Sequence, residues 1–516
     1  MRRALALVGG AALYALAFPP VDGSVFAWFA LVPLLLAVRD RSATFGLVFG
    51  ALYGFACAWG VAGWLAQALA RYFDVGLPLG ILVASLYAIA FWATAFGLFG
   101  AGAAVLTRRH HPIGVRLAIP ALWVTTELLR GRFLGQPWGL LGYTQHAHPE
   151  LIQLSAITAV YGVSFVVALG NTALAEAIAL VRRRADVPRA VYVVAVPAVF
   201  CLVVSALGGI VASRGPAGGF GAQPVVVVQT NVAPAWRWTR AYTDAQIAAH
   251  LGMLQSVPGE TRPGLIVWPE HAVPRYLEEE PGLAAQLATV ARTHRADLLF
   301  GSPRFASGRT YNSVRLLTRD GRNGGHYDKQ RLVLFAESRP FDGAAAPEPS
   351  ENPERFTAGT EPGVLHGFVD LGVSVCHEIL FPELVADSVA AGAALLVNVS
   401  NDGWLDAGSG IASRQHFAMA VFRAVETRRY LVRAATTGVS GVIDPYGRVL
   451  AQLPPRSAGI VHRTVAGRSG MTPYVAVGDV FAFGCALASA LVLYATTLHP
   501  LRRRHLGLAR PFPASI

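Results

Sequence analysis

GVSVCHEILFPE, residues 372–383, opens as a strand-like apolar run, reaches Cys376, and turns polar on the way to a closing FPE. Two other stretches have the same form. LIVWPE (265–270) ends on Glu270, and HYDKQRLVLFAE (326–337) carries Lys329 beside an apolar segment. An α/β fold displays its chemistry at strand ends, so a Glu, a Lys and a Cys in these places are candidates for one site. The surrounding sequence supports that fold. VVVVQTN (225–231), DLLFGSPRF (297–305), YNSVRLLT (311–318) and LLVNVSND (395–402) read as strands, and the patterns at 239–256, 281–295, 382–391 and 411–428 read as helices. Such alternation, over residues 222–465, predicts an α/β layered domain. PAGGFGAQP (216–224) and VAGRSGMTP (465–473) read as flexible linkers, and residues 340–362 as an external loop.

The rest of the chain is of another kind. Its 516 residues are 53% hydrophobic and only 14% charged, with a mean hydropathy of +0.45; an ordinary globular protein carries roughly 25% charged residues. Apolar runs at 4–20, 22–38, 44–70, 77–107, 117–129, 158–181, 190–213 and 475–497 are candidate membrane spans. The first lacks a small-residue cleavage site and further runs follow at once, so it is expected to stay as a helix. Arginine clusters sort the connections. Arg2 and Arg3, Arg39 and Arg41, Arg108 and Arg109, Arg182 to Arg184, and Arg502 to Arg504 all fall on one side if eight runs cross with both termini in the cytoplasm. The expected organisation is then seven membrane helices within 1–213, an extracytoplasmic domain at 222–465, a last membrane helix at 475–497 and a cytoplasmic tail at 498–516.

The net charge of +12 belongs to this topology, not to a basic folded face, which excludes nucleic acid as a partner. Charged residues are scarce inside the runs, which argues against a coupled transporter. Cys57, Cys201 and Cys485 lie in apolar runs as small hydrophobes, and no Cys or His spacing suits a metal or a disulfide framework. Cys376 is left as an unpaired thiol outside the spans.

A thiol attacks an ester or amide carbonyl as thiolate, so Cys376 needs a base or a positive neighbour. Glu270 suits the base. Lys329, with the backbone N–H of His377, suits an oxyanion. Glu337 and Glu378 stand close in sequence to the lysine and the cysteine and could orient Lys329 or share protons. Singly, a Glu or Lys after a strand is an ordinary loop residue, and a Cys ending a Val-rich strand is ordinary core.

Together the motifs resemble a family. WPE with Glu270, YxKxxLVxFxE with Lys329 and Glu337, CxExxFPE with Cys376 and Glu378, NVSNDGW (398–404) and the stretch 423–449 are similar to the nitrilase superfamily. FAWFALVPLL (26–35), ELLRGRFLGQPWGLLGYTQ (127–145), ITAVYGVSFVVALGN (157–171) and the VQTN segment ending at Trp238 resemble the apolipoprotein N-acyltransferases. The resemblance implies a multi-pass α-helical membrane domain of eight spans and a nitrilase-like α-β-β-α sandwich, in the bacterial inner membrane with the catalytic domain on the periplasmic side. It implies Glu270 as base, Lys329 as oxyanion stabiliser and Cys376 as nucleophile, Glu337 and Glu378 as further site carboxylates, and Trp238 and Tyr143 as aromatics where substrate enters.

The sequence departs from the pattern at Leu334 and Ala336, where Pro and Gly are usual, and at His377, where Tyr is common. Arg130, Trp138 and Asn401 are further substrate-binding candidates. Their ordinary readings are a snorkelling surface cation, an interfacial aromatic and a turn cap. The implied reaction is ping-pong acyl transfer through a cysteine thioester, from a membrane phospholipid to a diacylglyceryl apolipoprotein, by a monomer without a cofactor. A membrane-tethered nitrilase-type amidase would have the same trio and send the thioester to water. An inactive scaffold would keep the fold without the chemistry.

Overall fold

The structure, a computed structural model, describes residues 1–108, 114–182, 187–215, 218–235, 238–257, 262–334, 336–338, 355–405 and 408–505. Most of the expected external loop (340–354), Arg109, Arg183, Arg184 and the tail from 506 lie outside them.

Among the described residues five helices are long and apolar enough to cross a membrane: Ala43–Ala62, Leu77–Thr107, Ser155–Arg182, Val187–Ser213 and Val480–Thr497. Their outward side chains include Leu47, Val48, Leu52, Val191, Val199, Leu202, Leu207 and Leu487, all exposed. In water each would forgo about 1.5–3 kcal/mol of burial; in lipid such faces are ordinary. Inner faces use small residues. A Cβ on Gly46 would lie 2.2 Å from the Gly100 carbonyl oxygen, and one on Gly100 2.3 Å from that of Gly46, so only glycine permits this helix contact.

The remaining apolar runs form shorter pieces. Arg2–Leu16 is a helix, and the second run breaks into a 3₁₀ turn (Ser24–Phe26) and the helices Ala27–Ala30 and Val32–Val38. Pro33, lacking an N–H, sits in the first turn of the last of these. The third run breaks at Gly63 before Trp64–Tyr72. The fifth gives Gly114–Leu128 and a π-helical turn, Leu129–Phe133. Between Phe133 and Ser155 the chain is largely irregular yet mostly buried, which requires internal partners for its backbone. Glu127 accepts the Leu141 N–H at 2.7 Å and Ser164 Oγ the Gly142 N–H at 2.8 Å. Arg130 donates to the carbonyls of Trp138 and Gly139 at 2.6 and 3.2 Å.

Among the described residues the other domain has twelve strands: β1 (Phe220–Gln229), β2 (Leu265–Val267), β3 (Asp297–Ala306), β4 (Arg309–Leu317), β5 (Asn323–Asp328), β6 (Val364–His366), β7 (Asp370–Val375), β8 (Leu395–Ser400), β9 (Leu431–Ala435), β10 (Ser440–Ile443), β11 (Val449–Leu453) and β12 (Gly459–Gly467). They form two six-stranded sheets, ordered β12-β1-β2-β3-β4-β5 and β11-β10-β9-β8-β7-β6. Neighbours β1–β2–β3 are parallel, as are β7–β8–β9. Alternation sends Val225 and Val227 between the sheets, against Val373, Val397 and Val432, while Val226 and Val228 face the helices Arg240–Leu254 and Pro281–His294. Burial on both faces explains the unbroken VVVV. The helices Pro382–Ala390 and Ile411–Thr427 cover the second sheet and share one apolar core with the membrane bundle. The layers are therefore α-β-β-α, and the last α layer rests on the membrane helices.

Part of the expected N-terminal linker is strand. β1 begins at Phe220 because its backbone pairs antiparallel with β12, which itself runs past residue 465 to Gly467. Ladder pairing at a sheet edge needs no apolar side chain, so the apolar pattern understates it.

Candidate active site

β2 ends at Val267, and Trp268–Pro269 lead to Glu270. The Gly301 N–H of β3 donates to the Pro269 carbonyl at 3.1 Å, and Val273 N–H to the Gly301 carbonyl at 3.0 Å. A Cβ on Gly301 would lie 2.6 Å from Glu270 Cα, so this close approach holds Glu270 in place. Lys329 directly follows β5. Its N–H donates to the Asn312 carbonyl at 2.9 Å, and its carbonyl accepts from Gly359 at 2.8 Å. Cys376 directly follows β7 with φ +52°, a left-handed conformation uncommon for a side-chain-bearing residue. It opens the 3₁₀ turn Cys376–Leu380, whose Glu378 reaches back to accept the Val375 N–H at 2.7 Å.

The three side chains are buried, with relative exposures of 3% (Glu270), 1% (Lys329) and 8% (Cys376). Lys329 Nζ donates to Glu337 Oε1 at 2.9 Å and to Glu270 Oε1 at 3.4 Å. Asn312 Nδ2 bridges the same two oxygens, each at 2.8 Å. The Asn401 N–H donates to Glu270 Oε2 at 2.8 Å, and Val333 N–H to Glu337 Oε2 at 2.8 Å. Burial would discharge Lys329, but the carboxylates of Glu337 and Glu270 outweigh it and hold its pKa above the ordinary lysine value. Burial would likewise neutralise Glu337, and Lys329 reverses that, lowering it. The Cys376 thiol is pushed up by burial and then by the Glu270 charge, against a smaller lowering by Lys329. Its resting form is the neutral thiol.

Glu378 is fully buried. Its Oε1 accepts from Tyr327 Oη (3.0 Å), Gln330 N–H (2.7 Å) and Arg331 N–H (3.0 Å). Burial pushes its carboxyl up to about 7 and the main-chain donors restrain it. His377 is pushed down to about 3 by burial and by Lys329, so it is neutral beside Phe381. His271, next to Glu270, lies between the Trp238 ring (centroids 4.9 Å apart) and Phe356 (6.0 Å). The Asn401 main chain thus contacts Glu270 directly, and Trp238 packs on its neighbour His271. Tyr327 is the first residue of the YxKxxLVxFxE motif, whereas Asn312 lies in the mixed strand YNSVRLLT, which carries no local sign of a place at the site.

Arg130, Trp138 and Tyr143 lie elsewhere, at the junction of bundle and domain. Arg130 is not a surface cation: it is buried, its guanidinium 4.3 Å from the Trp92 ring centroid, and it donates to the Trp138 and Gly139 carbonyls of the irregular loop. Trp138 Nε1 donates to Gln415 at 2.8 Å. Tyr143 is buried edge-on to Phe422 and its hydroxyl accepts from Arg423 at 3.4 Å. Among the described residues no group of His, Cys, Asp and Glu is arranged to hold a metal ion.

Two family descriptions match the chain: the apolipoprotein N-acyltransferase N-terminal domain over residues 10–173 and the carbon-nitrogen hydrolase over residues 225–473. The apolipoprotein N-acyltransferase of Geobacter metallireducens is 34% identical over 495 residues, which cover 93% of this chain and 92% of that protein. The chain belongs to the apolipoprotein N-acyltransferase family. A Pseudomonas aeruginosa apolipoprotein N-acyltransferase is 32% identical, with 98% of each chain covered. The solved nitrilase-superfamily structure of Saccharomyces cerevisiae Nit3 is similar at a TM-score of 0.38 and 18% identity, covering 48% of this chain and 90% of that one. The match of the N-acyltransferase family to this chain thus extends through both the helical bundle and the sandwich that carries Glu270, Lys329 and Cys376.

Proposed function

We propose that the chain is an apolipoprotein N-acyltransferase that moves an acyl group from a membrane phospholipid, through a Cys376 thioester, to the α-amino group of the N-terminal diacylglyceryl-cysteine of lipoproteins. The observation that carries this reading is the seating of a buried Glu270–Lys329–Cys376 cluster on helices whose outer faces are apolar.

In the first half-reaction Glu270 takes the thiol proton as Cys376 Sγ attacks the ester carbonyl carbon. The carbonyl oxygen becomes an oxyanion stabilised by the Lys329 ammonium and the main-chain N–H of His377. The ester C–O bond then breaks, Glu270 returns the proton to the leaving oxygen, and a lysophospholipid departs. In the second half the lipoprotein amine attacks the thioester and gives its proton to Glu270. The C–S bond breaks and the thiolate recovers that proton. The thioester splits one slow exchange into two easier ones. Glu337 keeps Lys329 charged, and Glu378 holds the turn behind Cys376.

The membrane setting has a physical cause. Each buried CH₂ contributes about 0.8 kcal/mol to anchoring a lipid chain, so a site that works on lipids is best brought to them. In this reading all eight apolar runs cross the inner membrane and the sandwich faces the periplasm, as the arginine clusters favour. Trp238 and Asn401 line the approach to Glu270. Trp138 and Tyr143 hold the domain on the bundle, and Arg130 braces the loop that carries Trp138.

The test uses the full chain in vesicles containing acyl-labelled phospholipid. Hydroxylamine-labile label on the wild type, none on Cys376→Ala, and mass-spectrometric detection of an N-acylated reporter lipoprotein are expected. Label persisting on Cys376→Ala would overturn the nucleophile. Free fatty acid in place of N-acylated product would make the enzyme a hydrolase.

A further inference from the structure

Gln415 belongs to the catalytic domain, on the helix Ile411–Thr427, and its side chain is spent wholly on the membrane domain. It is 2% exposed. Its Oε1 accepts from the indoles of Trp138 at 2.8 Å and Trp64 at 3.3 Å; its Nε2 donates to the carbonyls of Pro19 at 3.0 Å and Val61 at 2.9 Å. These four partners lie where membrane helices stop: after Arg2–Leu16, either side of the Gly63 break, and in the irregular stretch after Phe133. Each frees main-chain or indole groups that lipid cannot satisfy, and one amide answers all four.

The same helix reaches the reacting side chains. His416 Nδ1 is in hydrogen-bond contact with Asp402 Oδ1 at 3.1 Å, and Arg433 holds both Asp402 oxygens at 2.9 Å. Arg433 also bonds Asn398, whose Nδ2 donates to the Cys376 carbonyl at 3.3 Å. Asn401, one residue before Asp402, supplies the N–H that holds Glu270. Further along, Arg423 donates to the carbonyls of Ile379 and Leu380, in the Cys376 turn, at 3.3 and 3.1 Å. Glu426 accepts from the Val160 N–H at 3.0 Å, next to Ala159, which interrupts the helix Ser155–Arg182 with φ +51°. At 100° per residue, Gln415, Arg423 and Glu426 fall within roughly 80° of one another, one face of the helix.

We infer that Gln415 is a positioning residue that sets the height and angle of the Cys376–Glu270 pair over the bilayer, through the helix Ile411–Thr427. This rests on the acyltransferase reading of that site. Gln415 touches no reacting atom; it decides where the site meets a substrate held in the membrane. A substrate arriving from water does not use that register.

The experiment compares two acyl donors on the full chain in vesicles: long-chain phospholipid, and the water-soluble ester p-nitrophenyl butyrate. Wild-type protein must first form a hydroxylamine-labile adduct with both; if it forms none, it is the acyltransferase reading that fails. Gln415→Met keeps the side-chain length and removes all four bonds. It is expected to slow acylation from phospholipid roughly tenfold or more, a misplacement effect, mostly as a higher apparent KM, with the soluble ester changed less than about twofold. Trp64→Phe, which removes a single donor, is expected to give a smaller loss of the same selectivity. Equal losses with both donors in both variants, or no loss with either, overturns the inference.

Discussion

Lys329 lies closer to Glu337 than to Glu270: its Nζ is 2.9 Å from Glu337 and 3.4 Å from Glu270 Oε1. Glu337 is therefore the principal counter-charge, and Glu270 remains the less engaged carboxylate. Removing the cation leaves two buried carboxylates joined by the single amide of Asn312. Lys329→Ala is expected to lose about 3–5 kcal/mol of stability, the cost of breaking a buried pair. Thioester formation should fall by roughly two orders of magnitude or more with the oxyanion donor gone. Lys329→Arg should not restore it, because a planar fork cannot replace a point charge in this space. Normal acylation of Lys329→Ala, read by labelled phospholipid, would remove Lys329 from the chemistry.

The neutral resting thiol of Cys376 has a pH signature. Alkylation by iodoacetamide should climb about tenfold per pH unit between roughly pH 7 and 9, without a plateau, since only thiolate reacts. Glu270 raises the thiol pKa by its charge. Glu270→Gln should therefore speed alkylation while abolishing acyl transfer. A plateau near neutral pH in the wild type would mean a resting thiolate instead.

Glu378 predicts a stability change with pH. Its folded value is about 7, while an unfolded Glu titrates near 4.3. Between these the native state keeps a proton that the unfolded state has released. Its contribution is full below the lower value and lost as pH rises through the upper one. The wild type's margin in Tm over Glu378→Gln should shrink from about pH 5 to about pH 8. A margin independent of pH would rule this out.

Gly301 predicts a steric effect on the site. Its added Cβ would lie 2.5 Å from the His271 nitrogen and 2.6 Å from Glu270 Cα, both main chain. Gly301→Ala must push the Glu270 segment away from β3. Activity is expected to fall on the order of 100-fold, as a 1 Å displacement suffices for that, with circular dichroism near that of the wild type. Unchanged activity would show that the segment can move without consequence.

Much of the domain was legible because its central strands are apolar runs buried on both faces, with helical patterns between them. The helix read at 411–428 is Ile411–Thr427, and the strand read at 297–305 is Asp297–Ala306. The candidate trio stood out because each residue closes or closely follows a strand, and all three are buried. What escaped were features made by tertiary contact. The backbone of the irregular buried stretch after Phe133 is satisfied by Glu127, Arg130 and Ser164, which no local pattern marks as its partners. Asn312, two residues into a predicted strand, gives no local sign that it bridges Glu270 and Glu337. Gln415 in RQHF has no spacing signal, since its partners stand between 277 and 396 residues away.

The shared core of the sandwich and the bundle also fixes an order of assembly. A ribosome delivers the chain from its N-terminus, so the first seven apolar runs are complete before Ile411–Thr427 has been made. That helix therefore emerges after the segments that carry its Trp64 and Trp138 partners. A domain excised from the chain would present Phe417, Val421 and Phe422, which belong to the common core, without their template. The membrane half is the surface against which this face of the catalytic half is buried.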